Sequence, residues 1–338
     1  MAQHNGGTNS AVNQSTETRI SSRAMMFTVL RVGGSVIILA LLFHFLPLRQ
    51  VWAAMGQLPF GLWLLMLAGY LLAHTIAVSK WRMMVNLAGA GLSFAQAARS
   101  YFAGLFSTLF LPSIVGGDVV RAGLALKLGR SKAGILLGSL LDRFMDVTAL
   151  GMLAMFGALF VPGSLSPASR KIFLIVAAAF GALLILLGAI VLLLPARRFS
   201  YRMRRRLVRL VIAWRSLMEQ PQYVLVALSL AIVVQGIFVV LTAKVAAACG
   251  LQLPLRVWLF AWPLAKIAAL VPLTQGGIGV REAALAALLR PFGAHAARAV
   301  AVGLVWETII ISGGFAAGLT AYLLGHFARE TRLVKDSA

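Results

Sequence analysis

Charged residues are scarce in this sequence, forming 12% of its 338 residues, about half the fraction found in ordinary soluble domains. Acidic residues are scarcest, with 9 Asp and Glu against 31 Lys and Arg and a net charge of +22. In a soluble chain that excess indicates a nucleic-acid binder. Here 60% of the residues are hydrophobic, which excludes a water-soluble protein and is enough for several spans of about 20 residues each. The sequence predicts a polytopic membrane protein that binds no nucleic acid.

Residues for redox or metal chemistry are also scarce. The single cysteine, Cys249, excludes an intramolecular disulfide. The five histidines are scattered without the spacing of metal ligands, so we expect no metal site and no cofactor. The sequence has no Walker-type nucleotide motif, which argues against direct use of ATP. We therefore expect a function that is not enzymatic and is carried out within the membrane.

The apolar runs predict a single transmembrane domain, residues 25–325, between a disordered polar N-terminal tail at 1–24 and a cytoplasmic tail at 326–338. Six runs are long enough to cross a bilayer. They are residues 26–46, 60–79, 133–161, 172–194, 223–248 and 299–324.

The distribution of basic residues predicts the topology. The linker 195–220 carries eight arginines and one acid, so the positive-inside rule places it in the cytoplasm. Counting spans from there puts both chain termini, and also Lys80, Arg82 and Arg99, on the cytoplasmic side. We expect a multi-pass protein of a bacterial-type cytoplasmic (inner) membrane.

Two shorter apolar regions return to the face from which they start. By the same count, both ends of residues 94–132 lie in the cytoplasm and both ends of 257–289 lie outside, so each is predicted to be a re-entrant helical hairpin. The order of two spans, a hairpin and a further span occurs twice, in residues 26–162 and 171–325. Because each copy has an odd number of spans, the second copy has the opposite orientation in the membrane. The fold class is therefore all-α, with about six spanning helices and two re-entrant hairpins arranged as an inverted-topology repeat.

A recurring motif supports this duplication. The segment LPSIVGGDVVR at 111–121 matches VPLTQGGIGVR at 271–281 in register, with Pro, Gly, Gly, Val and Arg in common. After each hairpin an acid follows at a similar depth, Asp142 in the first copy and Glu307 in the second.

Five of the nine acids fall within these apolar segments, where a charge costs roughly 2.5–3.5 kcal/mol on insertion scales. Such residues normally pair with a cation or line a wet cavity. Their expected partners are Arg121, Arg143 and Arg281. The acids are Asp118, Asp142, Asp146, Glu282 and Glu307.

Each hairpin tip is a candidate anion site. The pairs Gly116-Gly117 and Gly276-Gly277 allow a tight turn, and the helix that follows begins with unpaired N–H groups. Arg121 and Arg281 lie about one turn later, where a guanidinium group can bind phosphate through two hydrogen bonds. Asp118 is expected to compete as an N-cap in the first tip, so the second tip, with Thr274 and Gln275, is the better candidate.

The sequence allows more than one interpretation of these charged residues. Arg121 and Arg281 either bind a substrate or only neutralise buried acids. Asp142 and Asp146, one helical turn apart beside Arg143, form either a proton or cation site or a buried ion-pair cluster. In the transport interpretation, Asp142, Glu282 and Glu307 balance the arginines in the empty state, and protonation of one acid couples movement to the proton gradient.

The two Pro-x-x-x-Gly-Gly-x-x-Val-Arg segments and the Leu-Leu-Asp-Arg segment at 140–143 resemble the lysylphosphatidylglycerol synthase transmembrane-region family of flippase-like membrane proteins. In bifunctional members of that family this module translocates an aminoacylated phospholipid made by a separate C-terminal transferase domain. We expect no such domain after the last span, so the resemblance implies a stand-alone lipid translocase whose lipid it leaves open. Thr308, where an arginine would parallel Arg143, makes the two copies unequal.

We therefore expect a flippase for an anionic phospholipid or a polyprenyl-phosphate lipid. One alternative is a membrane scaffold for a lipid- or glycan-modifying transferase as its partner. A weaker alternative is a lipid enzyme, because Arg130, Gly138, Asp142 and Asp146 resemble the second half of the CDP-alcohol phosphotransferase motif. The first half of that motif is missing, and two carboxylates bind divalent metal poorly.

Overall fold

The computed structural model describes residues 56–111, 114–160, 219–270 and 277–336, together with residues 53, 208, 212 and 274. In this part of the chain there are eight α-helices and no β-strand. In chain order they are α1 (Phe60–Leu87), α2 (Phe94–Ser107), α3 (Ile114–Leu128), α4 (Lys132–Leu159), α5 (Pro221–Ala248), α6 (Leu255–Ala268), α7 (Val280–Leu289) and α8 (Ala296–Asp336).

Within the described residues, three helices are long and apolar enough to cross a membrane: α1, α5 and the Ala296–Phe327 part of α8. Helix α4 is as long as α1, at 28 residues, but its middle carries Asp142, Arg143 and Asp146. The predicted spans at 26–46 and 172–194, and the arginine-rich linker 195–220 except for four of its residues, lie outside the described residues. The total of six spans therefore stays a prediction.

The two predicted hairpins are pairs of packed helices, α2 with α3 and α6 with α7. Helix α2 begins with a capping box, in which Ser93 Oγ accepts from the Gln96 amide and Gln96 Oε1 accepts from the Ser93 amide. Glycine lets α2 and α3 approach closely, since a Cβ atom on Gly104 would meet the carbonyl oxygen of Gly117.

The two glycine pairs differ in conformation. Gly116 and Gly117 lie inside α3, which begins at Ile114, so the expectation that this pair forms the turn is wrong. In the second hairpin Gly277 has φ +79° and Gly279 has φ +86°, a left-handed conformation that glycine adopts without strain, and α7 starts directly afterwards. A helix can start before the first pair because glycine costs a helix only about 1 kcal/mol.

Corresponding helices of the two halves have corresponding packing partners. Helices α1 and α5, both 28 residues long, pack against each other, while α2 packs on α8 and its counterpart α6 packs on α4. The counterparts α2 and α6 are both 14 residues long. This arrangement is what a duplicated chain with a pseudo-two-fold relation produces. The inverted orientation of the halves and the re-entrant path of the hairpins stay predictions.

Aromatic side chains fill the contact between the halves. Tyr70 of α1 packs on Phe238 of α5 and on Trp306 of α8, with ring centroids 5.8 and 6.1 Å apart. Within the second half, Trp262 of α6 meets Trp306 edge to face at 5.3 Å and extends this aromatic group. These buried rings border the space in which the charged residues converge.

Candidate functional site

A cavity of about 490 Å³ lies between the two halves, and all eight helices contribute to its wall. Its size falls in the range of small-molecule sites. Seven charged residues from both halves line it. They are Asp118, Arg121, Arg143, Asp146, Lys266, Arg281 and Glu307.

Lys80 of α1 is the centre of the charged residues in the first half. Its Nζ lies 3.0 Å from Asp142 Oδ1 and 2.5 Å from Asp146 Oδ1, both on α4. The Lys80 and Asp142 side chains are each 1% exposed. The span predicted at 60–79 ends before Lys80, whereas α1 continues to Leu87 and buries this residue.

The two arginines of this half bind the remaining carboxylate oxygens. Arg121 Nη1 donates to Asp142 Oδ2 at 3.1 Å, and Arg143 donates through Nε and Nη2 to the two oxygens of Asp118 at 2.5 and 2.6 Å. We call these six residues the first-half cluster, which holds three cations and three anions. They are Lys80, Asp118, Arg121, Asp142, Arg143 and Asp146.

Arg121 is additionally held by aromatic rings. Its guanidinium carbon lies 5.0 Å from the Trp81 ring centroid and 5.3 Å from that of Tyr101. Trp81 is itself fixed, because its Nε1 donates to Ser139 Oγ at 3.0 Å. The buried Arg121 side chain is therefore held by Asp142 and by the two rings.

In the second half one arginine serves two acids. Arg281 Nη2 lies 2.7 Å from Glu282 Oε1 and 2.5 Å from Glu307 Oε2, and its guanidinium faces the Trp262 ring at 5.8 Å. Glu282 Oε2 also accepts from the Gly279 amide at 2.6 Å, so this acid caps the start of α7. We call Arg281, Glu282 and Glu307 the second-half cluster. It carries one more negative charge than positive.

The same ion pair occurs in both halves at the motif positions. Arg121 pairs with Asp142, and Arg281 pairs with Glu307, each linking a hairpin helix to the long helix that follows. The halves differ where Thr308 replaces the counterpart of Arg143. Thr308 Oγ1 instead accepts from Trp63 Nε1 at 2.9 Å.

The remaining predicted site residues lie in different places. Gly117 lines the cavity, whereas Gly116 does not. Asp118 lies in the second turn of α3 and binds Arg143, so it is not the N-cap expected from the sequence. Thr274 is 2% exposed and is absent from the cavity wall, and Gln275 and Gly276 lie outside the described residues.

Sequence reasoning missed two polar residues of the cavity wall. Lys266 of α6 donates from Nζ to Gln235 Oε1 of α5 at 2.8 Å, and the ammonium lies 4.4 Å from the Phe238 ring centroid. The available signal was a lysine inside the apolar run of the second hairpin. No such local pattern marks Gln235, whose role depends on contact with a different helix.

Comparison with known proteins identifies one family. The model of the lysylphosphatidylglycerol synthase TM region matches residues 28–318, most of the chain. No curated protein matches, and no solved structure matches. The match includes both hairpins and every residue of the two charged clusters. The chain therefore belongs to the lysylphosphatidylglycerol synthase transmembrane-region family.

Proposed function

We propose that this protein translocates a phosphate-bearing lipid, either an anionic phospholipid or a polyprenyl-phosphate-linked lipid, across the cytoplasmic membrane. The supporting observation is the cavity between the halves, whose wall joins buried charges to apolar side chains that reach the outer surface. A lipid has the same two-part chemistry. In this proposal the halves are inverted repeats and the hairpins are re-entrant, as in transporters that alternate access around a central site.

The polar part of the cavity suits a head group. The two clusters supply guanidinium groups and carboxylates within a largely apolar interior, where electrostatic interactions are stronger than in water. We propose that the head group passes beside Arg121 and Arg281 and beside the glycine-containing hairpin tips. Asp142, Glu282 and Glu307 keep these arginines neutralised while no lipid is bound.

The apolar part of the cavity gives the acyl or prenyl chains a route into the bilayer. Three side chains both line the cavity and are largely exposed: Phe110 at 58%, Ile311 at 41% and Phe315 at 54%. Phe110 and Phe315 lie close together, with centroids 6.3 Å apart, where the end of α2 meets α8. An opening lined by such residues lets the tails stay in hydrocarbon while the head group moves.

The experiment is reconstitution of the purified protein in liposomes with head-group-labelled lipids. Anionic, zwitterionic and polyprenyl-phosphate lipids are followed between leaflets by quenching of the outer label, with and without a pH gradient. Movement of one class by the wild type would support translocation and name the substrate class. Absence of movement for every lipid, by correctly inserted protein, would overturn the proposal and favour the scaffold alternative.

A matched pair of variants links movement to the cavity. Ile311→Trp adds bulk at the opening, whereas Leu319→Trp adds the same ring two turns later on α8, at a position 61% exposed and away from the cavity. We expect Ile311→Trp to slow movement strongly and Leu319→Trp to leave it near the wild-type rate. Equal rates for the two variants would show that lipid does not use this opening.

A further inference from the structure

Lys266 differs from the three arginines of the cavity wall in having no acidic partner among the described residues. Arg121, Arg143 and Arg281 each contact at least one carboxylate. Among the described residues, no carboxylate oxygen lies within 4.0 Å of Lys266 Nζ, whose contacts are Gln235 Oε1 and the Phe238 ring.

These two contacts leave hydrogen-bonding capacity on Lys266. An ammonium group has three N–H donors, and the contacts with Gln235 and Phe238 occupy at most two. The Gln235 side chain is 4% exposed and lines the same cavity, and its amide nitrogen supplies further donors. Together the two side chains present donors with which no carboxylate of the described part of the chain competes.

A neighbouring helix end explains only part of this arrangement. Lys266 lies in the last turn of α6, where the partial negative charge of the helix favours a cation. That effect is small beside the cost of placing a lysine charge in an apolar membrane interior. An anion bound at Lys266 would offset the remainder.

The positions of the charges also favour Lys266 over the arginines as the first contact for an anion. An anion that binds Arg121 or Arg281 must compete with carboxylates already 2.5–3.1 Å from those side chains. An anion that binds Lys266 displaces no carboxylate. The second-half cluster already has an excess of negative charge and is correspondingly less receptive to another anion.

We propose that Lys266, with Gln235 beside it, binds the phosphate of the transported lipid, an inference that rests on the proposed function. The ammonium suits a phosphate because it is a compact charge with freely rotating donors. Arg121 and Arg281 then hold the acids in place and shape the cavity, and the phosphate reaches them only after Lys266. A free phosphate ion has the same chemistry, so the experiment must separate the two sources.

The test measures binding separately from transport. Wild type, Lys266→Met and Lys266→Arg are placed in nanodiscs of zwitterionic lipid, and binding of labelled phosphatidylglycerol and of labelled diacylglycerol, which lacks the phosphate, is titrated. Lys244→Met, an exposed lysine of α5 outside the cavity, is the matched control. Every ion pair of the described residues keeps both members in Lys266→Met, and only the hydrogen bond to Gln235 is lost, so this variant should remain folded, as checked by its thermal unfolding.

We expect Lys266→Met to weaken phosphatidylglycerol binding about tenfold or more, as for loss of a charge-assisted hydrogen bond. Binding of diacylglycerol should not change, and Lys266→Arg and Lys244→Met should bind phosphatidylglycerol nearly as well as the wild type. Unchanged binding by Lys266→Met would overturn the inference even if the wild type moves lipid. Selective loss of binding in a protein that moves no lipid would keep the site and reject the proposed function.

A competition arm separates lipid from free phosphate. Inorganic phosphate is titrated against bound phosphatidylglycerol in the wild type. Weak competition would support a lipid phosphate, because the tails add affinity that the free ion lacks. Displacement by inorganic phosphate at concentrations comparable to the lipid would assign the site to a soluble anion and overturn the assignment to lipid.

Discussion

Lys80 and Asp142 form a 3.0 Å ion pair between α1 and α4 in which both side chains are 1% exposed. Asp142 also accepts from Arg121, and Lys80 also contacts Asp146, so the pair joins three helices of the first half. Burial of such a pair from water has a large desolvation cost, and the loss of one member leaves the other charge unpaired. The charges of the first half therefore depend on one another.

Replacement of Lys80 by methionine should destabilise the protein by about 3–5 kcal/mol, the range for breaking a buried ion pair. The measurement is reversible unfolding in detergent with increasing denaturant. Lys127→Met, at an exposed position in the last turn of α3, is the control and should change stability little. The double variant Lys80→Met with Asp142→Asn should recover part of the loss, and no recovery would contradict the paired role.

Much of this fold could be predicted because hydropathy is a local property. The run at 223–248 lies within a helix observed at Pro221–Ala248, and the run at 133–161 matches Lys132–Leu159, since apolar length sets both. The pairing of helices in each hairpin region was predictable because the basic residues place both ends of each region on one side of the membrane. The re-entrant path itself stays a prediction. The recurring Arg positions also predicted residues that converge, as Arg121 and Arg281 do at one cavity.

Lys80 shows why the site was harder to predict than the helices. The positive-inside rule treats each lysine as a candidate loop residue, but Lys80 has acidic partners on α4 that lie 62 and 66 residues away in sequence. Its burial is a consequence of packing between helices, which no local pattern encodes. A lysine within an apolar run is a local signal for Lys266, but its contact with Gln235 of another helix is not encoded locally.

Gly104→Ala should loosen the first hairpin. The added Cβ would lie 2.7 Å from the Gly117 carbonyl oxygen and 2.8 Å from Arg121 Cβ, so α2 and α3 would have to separate. We expect a loss of about 1–3 kcal/mol, typical of overpacking, measured by the same unfolding assay. Gly123→Ala is the matched control, since no atom lies within 4 Å of its added Cβ, and it should be neutral or slightly stabilising. Equal effects would rule out the close approach as the cause.

Arg281→Met should be more damaging than Glu307→Gln. The first change leaves Glu282 and Glu307 without their shared cation, at a cost of about 3–5 kcal/mol. The second change leaves Arg281 paired with Glu282 and relieves the excess negative charge. The double variant should be more stable than Arg281→Met alone, and Arg256→Met, at an exposed position near the start of α6, serves as the control. Greater damage from Glu307→Gln would contradict the shared pairing.

Single cysteines on the two long helices after the hairpins test the inverted topology. In a Cys249→Ser background, Lys132→Cys places a thiol at the first residue of α4, and His295→Cys places one directly before α8, both at exposed positions. Because the hairpins are predicted to enter from opposite faces, α4 should start in the cytoplasm and α8 outside. An impermeant maleimide should label His295→Cys in intact cells, and Lys132→Cys only after the membrane is opened. The protein with Cys249 alone controls for background, because that thiol is buried and should react only after denaturation. Labelling of both positions from the same side would exclude the inverted arrangement and, with it, alternating access between matched halves.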